Sequence, residues 1–445
     1  MPIPIYTDLA AANASVLKRV PFDEVEVTPA LLDAIAARMG ERLTPAQVVE
    51  RIVHDVRTRG DAALAEWSAR LDGHVPTQWE VPRERIAAAW AAQPADLQQA
   101  LMLAAEQIRN FHAKQHHQSW MDVTAEGTLG QLVVPMGRVG IYVPGGSAPL
   151  PSTLLMAAIP ARVAGVDEIV VCSPPQRATG EVAEIVLAAA HVAGVDQVLR
   201  IGGAQAIAAM AFGTAQIPQV DKIAGPGNLF VVLAKRMVYG AVGIESLPGP
   251  TETLVIADAH ANPAYVAADL LAQAEHVQAA AILVTTDLQM AQAVKAELAT
   301  QLAALPDNSG AAETLALRSG IVVVSDLRTA FMVANTYAPE HLCLLIQDAW
   351  DYLGWVRNAG GVFVGERSFE VLGDYIAGPS HIMPTGGTAR FAAPVNVDDF
   401  RKIISVVGLN QHALRRIGPA AARLADAEGL HAHAAAVRIR LRDDQ

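Results

Sequence analysis

The stretch Asp269-Leu-Leu-Ala-Gln273-Ala-Glu-His276 sets a carboxamide and an imidazole three positions apart at the end of a short helix. Asn262 suits that helix as N-cap and Pro263 as its first residue, where a missing N–H costs nothing. At about 100° per residue, Gln273 shares a face with Val266 and Leu270, and His276 follows one turn on, while Glu275 points away. Side chains at this spacing have Cβ atoms roughly 5–6 Å apart, close enough to hold one metal ion or one small ligand. The plain alternative is a helix C-terminus with a histidine favoured by the dipole. In Ala338-Pro339-Glu340-His341, a carboxylate and an imidazole stand side by side before an apolar strand. One can serve as base while the other positions or activates water; an exposed polar turn is the alternative. Asp374 lies in the glycine-bounded loop Gly373-Asp374-Tyr375, with His381 seven residues on. It is either a metal ligand or the head of an Asx-turn. Glu428, His431 and His433 flank Gly429 near the C-terminus, and if that segment is helical only one of the two histidines faces a given site. Gln273, His276, Asp374 and His433 together form a nitrogen and oxygen donor set suited to zinc or a neighbouring divalent ion.

Three glycine-rich turns complete the chemical inventory. Gly140-Ile-Tyr142-Val-Pro-Gly145-Gly146-Ser147 is a strand running into a turn, with no Lys-Ser/Thr to make it a P-loop. Ile201-Gly202-Gly203-Ala-Gln205 repeats the design, and Gly225-Pro-Gly227-Asn228 does so again, starting as a dinucleotide fingerprint that fails at Phe230. Such turns offer backbone N–H groups to a phosphate. Three of them at successive strand ends point the same way along a parallel sheet and indicate a nucleotide-type ligand.

The elements that must position these residues follow from periodicity. Residues 1–137 read as mostly helical, with one amphipathic helix starting at Thr44-Pro45 and an alanine-rich helical stretch from Arg85 through Phe111. Its histidines (His54, His74, His112, His116, His117) have no acidic or cysteine partners at ligand spacing. From Arg138, strands beginning at Val139, Glu168, Gln197 and Lys222 alternate with alanine-rich helices. After Gly249-Pro250 the rhythm restarts with strands at Thr253, Ala281, Ile321, Leu342 and Val362. Single helices between strands imply parallel sheets with right-handed crossovers. The expected fold is therefore α/β. Two Rossmann-like doubly wound domains, 138–250 with the glycine turns and 251–390 with the zinc and catalytic candidates, are joined by an N-terminal region that packs on the second of them. A tail, 391–445, has helix candidates at Asp398 to Val407 and Pro419 to Leu424 and is too small to stand alone. The cleft between the α/β domains is the expected ligand site.

Bulk properties exclude several classes. Over 445 residues, 33 basic and 45 acidic side chains give a formal charge of −12, with no Lys/Arg cluster for a nucleic acid. The content is 52% hydrophobic and 18% charged, as in a globular enzyme. No apolar run reaches the ~18 residues of a membrane span, and no signal-peptide h-region opens the chain. Two cysteines, Cys172 and Cys343, lie in apolar runs without metal spacing, so a reducing, cytoplasmic setting is expected. From the residues themselves the reading stops at a nucleotide-dependent α/β enzyme with a candidate metal site and no named substrate.

The motifs GRVGIYVPGGSAPLPST, IGGAQAIAAMAFGT, VDKIAGPGN, DLLAQAEH, APEHL, LGDYIAGPSH, PTGGTARF and AEGLHAH occur in an order and at a spacing that resemble histidinol dehydrogenase, from roughly Asp23 to Arg440. The resemblance implies oxidation of L-histidinol through L-histidinal to L-histidine with reduction of two NAD, the last steps of histidine biosynthesis. It implies one zinc per subunit on Gln273, His276, Asp374 and His433, orienting the substrate. His341 would be the general base of both oxidations, and Glu340 would activate the water that hydrates the aldehyde. Tyr142, Gln205 and Asn228 would touch NAD. Thr251, His381 and Glu428 would help hold the substrate, together with the zinc ligands, Glu340 and His341. A homodimer is implied, its tail crossing to the partner so that Glu428 and His433 complete the neighbour's site. The chain departs from the family pattern at Thr251, where serine is usual, at Val277, where glycine is usual, and at Leu247-Pro248. Threonine keeps the hydroxyl and adds a methyl beside the substrate. The departures leave open a zinc- and NAD-dependent paralogue acting on another polar alcohol, such as a sulfonated propanediol, although Glu428 suits a cationic substrate better. A metal-dependent hydrolase without NAD and a silent nucleotide-binding protein are the alternatives from other classes.

Overall fold

The computed structural model describes residues 3–19, 27–145, 149–276, 278–306 and 310–442. Gly146 and Ser147 of the first glycine turn, and Val277, lie outside the described residues. The strands in chain order are β1 (Ile5–Tyr6), β2 (Trp120–Thr124), β3 (Gly127–Pro135), β4 (Arg138–Tyr142), β5 (Glu168–Ser173), β6 (Gln197–Arg200) and β7 (Lys222–Ala224). They continue with β8 (Gly243–Ile244), β9 (Glu252–Ala257), β10 (Ala280–Thr285), β11 (Gly320–Val323), β12 (His341–Leu345), β13 (Gly361–Val364) and β14 (Arg401–Leu409). Every strand expected from the alternating pattern is present, and the α/β class with parallel sheets holds.

The chain divides into two compact units, residues 1–114 with 136–400, and residues 115–135 with 401–445. The first unit contains both parallel sheets. One runs β6-β5-β4-β7-β8, the other β1-β11-β10-β9-β12-β13. In each, the strand order reverses once, between β4 and β7 and between β9 and β12, which are the topological switch points of doubly wound sheets. Strand interiors read as unbroken apolar runs because both faces are covered. Ile169, Val170 and Val171 of β5 and Leu254, Val255 and Ile256 of β9 are all fully buried.

The N-terminal helices do not pack on the second sheet, as expected from the sequence, but on the first. Val48, Val49 and Ile52 of helix Pro45–Arg59 share a core with Ile207 and Met210 of helix Gly203–Phe212 and with Val231. Leu101, Ala105 and Ile108 of helix Ala95–His112 join the opposite core with Leu154 and Leu187. Among the described residues, the segment 3–19 reaches the second sheet, where β1 pairs with β11, Ala12 and Leu17 join the core, and Arg19 pairs with Glu252. Amphipathic periodicity shows that a helix has an apolar face but not which sheet receives it.

The second unit corrects two further expectations. Residues 120–124 and 127–135 are strands rather than helix, and Arg401–Leu409 is a strand rather than part of a helical tail. They form an antiparallel sheet β14-β3-β2 in which Arg401 opposes Pro135 and Leu409 opposes Gly127. The β-branched run Ile403-Ile404-Ser405-Val406-Val407 suits a pleated strand, and its mixed pattern also matches helical spacing. Helices Gln411–Ala427 and His431–Arg442 follow, broken at Gly429 as expected, whereas Gly418-Pro419 is carried inside the first of them. Among the described residues, no helix is long and apolar enough to cross a membrane.

Candidate active site

The second sheet carries its polar residues at the N-terminal ends of the two strands flanking its switch point. β9 and β12 run parallel with Thr253 opposite His341, so the residues entering these strands, Thr251-Glu252 and Glu340-His341, lie side by side. Here the Glu252 backbone serves both catalytic candidates. Its N–H donates to Glu340 Oε2 at 2.9 Å, and its carbonyl accepts from His341 Nδ1 at 3.1 Å. A carbonyl can only accept, so Nδ1 carries the imidazole proton and Nε2 is the basic nitrogen. Nε2 is buried without a hydrogen-bond partner and lies 3.4 Å from Asp374 Oδ1. A lone pair facing a carboxylate at this distance is unfavourable, so a proton or a cation belongs between them.

Electrostatics agree with that geometry. Burial alone would lower the His341 pKa, but the carboxylates of Glu370, Glu340 and Asp374 outweigh it and hold the imidazole well above its ordinary range. Burial raises Glu340 to about 8, against the pull of His341, the Thr251 hydroxyl and the Glu252 N–H. The Thr251 hydroxyl donates to Glu340 Oε2 at 2.5 Å. A carboxyl so placed titrates where a general base is useful.

Asp374 is not in a loop. It belongs to the short helix Glu370–Tyr375, whose i,i+4 spacing puts Glu370 and Asp374 on one face. His341, Glu370 and Asp374 present ligand atoms that all lie within 4.8 Å of one another. Glu370 also accepts from the Thr253 hydroxyl, and its Oε1 is 3.9 Å from His341 Nδ1. Glu370 was missed in the sequence, although its spacing from Asp374 was a usable signal. His381 spends both nitrogens locally. Nδ1 donates to the Asp374 carbonyl at 2.7 Å, and Nε2 faces the Thr153 hydroxyl at 3.1 Å. Burial holds its pKa below the ordinary value, so it is a neutral prop beneath Asp374.

Helix Pro263–Ala274 forms as expected, with Asn262 Oδ1 accepting from the Ala264 N–H. Gln273 is 1% exposed, and neither its amide oxygen nor its nitrogen has a partner. His276 lies past the helix end and is exposed rather than on the buried stripe. Burial would raise Asp374, but the close contact and charge of His341 outweigh it and hold that carboxyl below its ordinary range. Gln273 and Asp374 each keep a buried polar atom without a partner, the kind of donor that an oxygen- and nitrogen-coordinated divalent cation requires. The other two expected participants, Glu428 and His433, are exposed residues of the second unit.

In the first sheet, the glycine turns follow β4, β6 and β7. Gly225 has φ 123°, and a Cβ there would sit 2.1 Å from the Tyr142 carbonyl oxygen, so only glycine lets this turn pack against β4. The Tyr142 hydroxyl accepts from the Gly203 N–H at 3.1 Å. Gln205 is fully buried, donating to Asp72 Oδ2 at 3.1 Å while its own Oε1 is unpaired. Asp72, which sequence reading passed over, is raised to about 6 by burial. Asn228 is exposed and uses its Oδ1 to cap helix Leu229–Val238.

Comparison with known proteins agrees with the resemblance in the motifs. A family model described as histidinol dehydrogenase matches residues 38–441. The histidinol dehydrogenase of Deinococcus radiodurans is 57% identical over 98% of this chain and 99% of that protein. That of Thermus thermophilus is 50% identical over 91% of this chain and 97% of that protein. The crystal structure of histidinol dehydrogenase from Elizabethkingia anophelis superposes with a TM-score of 0.90 at 36% identity, covering 99% of this chain and 98% of that one. With its two parallel sheets, the Glu340–His341 pair at the entrance to strand β12 and these likenesses along its length, the chain belongs to the histidinol dehydrogenase family of oxidoreductases.

Proposed function

We propose that the protein catalyses the NAD-dependent, four-electron oxidation of L-histidinol through L-histidinal to L-histidine. The observation that carries this reading is the fixed Glu340–His341 pair, one buried imidazole oriented by the Glu252 carbonyl with Nε2 3.4 Å from Asp374 Oδ1, and one buried carboxyl held beside it. His341 Nε2 takes the alcohol proton as the carbinol carbon gives up hydride. Glu340 then takes a proton from the water that adds to the aldehyde while His341 returns its proton to the carbonyl oxygen, which leaves Nε2 able to take the hydroxyl proton of the hydrate in the second oxidation. Glu370, next to the imidazole, favours the proton that His341 acquires. NAD, when bound, accepts hydride in each oxidation, and a divalent cation acts as a Lewis acid that orients the substrate.

Gln273, His276 and Asp374 would hold the cation, with His433 as fourth ligand. The orphaned Gln273 amide and Asp374 Oδ1 support this assignment. Tyr142, Gln205 and Asn228 would contact NAD, supported by their place on the three glycine turns at strand ends of the first sheet. His433 and Glu428 would come from a second copy of the chain. In support, the second unit exposes Trp120, Val123, Ile403 and Val407 along its small sheet.

The test is NADH formed per L-histidinol consumed, with and without a chelator. A ratio near two that collapses on metal removal is the expected result, and absence of NADH from histidinol with zinc in the protein overturns the substrate assignment. For the shared site, mixing inactive Glu340→Gln and His433→Ala enzymes under subunit exchange should restore part of the activity. No recovery in verified mixed dimers overturns it.

A further inference from the structure

The residues that hold Glu340 and His341 in place are themselves held from the far N-terminus of the chain. Arg19 precedes the span that matches the family model. Its guanidinium forms a two-pronged ion pair with the Glu252 carboxylate. It also donates from Nε to the Tyr337 carbonyl at 2.9 Å, and from a terminal nitrogen to the same carbonyl and to that of Ala338 at 3.2 Å. The guanidinium plane lies over the Tyr337 ring, 3.5 Å from its centroid. A fixed fork of five donors is the group that can satisfy one carboxylate and two carbonyls together.

Each of these anchors borders a catalytic residue. Ala338 adopts φ 50° and ψ 64°, a left-handed conformation unfavourable for a residue with a Cβ, immediately before Pro339-Glu340-His341. Glu252 is the residue whose N–H and carbonyl orient Glu340 and His341, and its side chain is fixed on the other side by the Gly386 N–H at 3.1 Å. Arg19 therefore secures both strand entrances, the one that bears the catalytic pair and the one that orients it.

We infer that Arg19 and Glu252 are positioning residues of this active site, a clamp that keeps the Tyr337–His341 turn and the Thr251–Thr253 strand entrance in register for catalysis. This inference rests on the proposed oxidation of L-histidinol for its kinetic readout, and on the geometry alone for its structural one. A polar contact network of this kind acts through alignment, so its loss lowers turnover without weakening substrate binding.

The experiment compares the full-length wild-type enzyme with Arg19→Ala and Arg19→Lys. Arg19→Ala should lose roughly 10–100-fold in kcat per bound metal ion with KM values for L-histidinol and NAD unchanged. Added guanidinium at low millimolar concentration should restore part of that loss, which a general loss of folded protein would not show. Arg19→Lys, which keeps the charge but not the fork, should fall in between, and it serves as the test if the alanine variant does not fold. Amide hydrogen exchange across residues 338–345 should be faster in both variants than in wild type. A wild-type kcat per bound metal in Arg19→Ala, or in Arg19→Lys should the alanine variant not fold, overturns the clamp, as does unchanged exchange across that segment. Absence of wild-type turnover on L-histidinol would instead overturn the functional reading, and the exchange comparison would still decide the clamp.

Discussion

Replacing Thr251 by valine removes one hydroxyl and leaves the side chain's shape. In the structure that hydroxyl donates to Glu340 at 2.5 Å, alongside the Glu252 N–H. A hydrogen bond to a charged group contributes about 1.5–3 kcal/mol. At 1.36 kcal/mol per pKa unit, its loss should raise the pKa of Glu340, already about 8, by roughly one to two. Glu340 takes a proton from water only when ionised, so the rate of L-histidinal oxidation should rise with pH and level off above the pKa. At pH 7, below the pKa of both enzymes, Thr251→Val should be slower by about 10–100-fold. At high pH the two rates should converge. The stability linkage has a matching sign. The folded pKa lies above the ordinary 4.5, so the contribution of Glu340 is fully present below that value and lost as pH rises through about 8. The assay is the pH profile of L-histidinal oxidation for both enzymes. A loss of the same size at every pH, or a raised KM with an unmoved profile, would refute the reasoning and make the Thr251 hydroxyl a substrate contact instead.

Two further outcomes follow from the same geometry. Glu340→Gln should slow oxidation of L-histidinal by about 10²–10⁴-fold and oxidation of L-histidinol to the aldehyde by much less; equal slowing of the two steps in single-turnover measurements would remove Glu340 from the hydration step. Lys235 is fully buried, paired with Glu245 at 2.6 Å and bonded to the Gly225 carbonyl. Lys235→Met strands that carboxylate and should destabilise the protein by about 3–5 kcal/mol in urea unfolding. A change under about 1 kcal/mol would show that the pair contributes little to holding the third glycine turn.

Much of the architecture was open to a reader of the sequence because its causes are local. The Asn262-Pro263 start, the burial of Gln273 with Val266 and Leu270, and every expected strand follow from caps and apolar spacing within a few residues. The failures were failures of partner. Ile403 to Val407 fits helix or strand until Leu129 to Val133 are seen opposite them. Asp374 beside a glycine resembles a loop residue until its helix packs under the sheet, and then its neighbour Glu370 joins the site.

Residue order alone determined the alternation of strands and helices, the glycine turns and the adjacency of Glu340 and His341, including the family that these motifs resemble. Tertiary structure decided what those residues can do. Glu340 and His341 are adjacent in sequence, but their protonation and aim depend on Thr251, Glu252 and Glu370, and on Arg19, which lies 233 positions from its carboxylate partner. Spacing along a chain encodes which side chains share an element. The electric field and tautomer at one atom are summed over every segment the fold brings to it, and those segments are far apart in sequence.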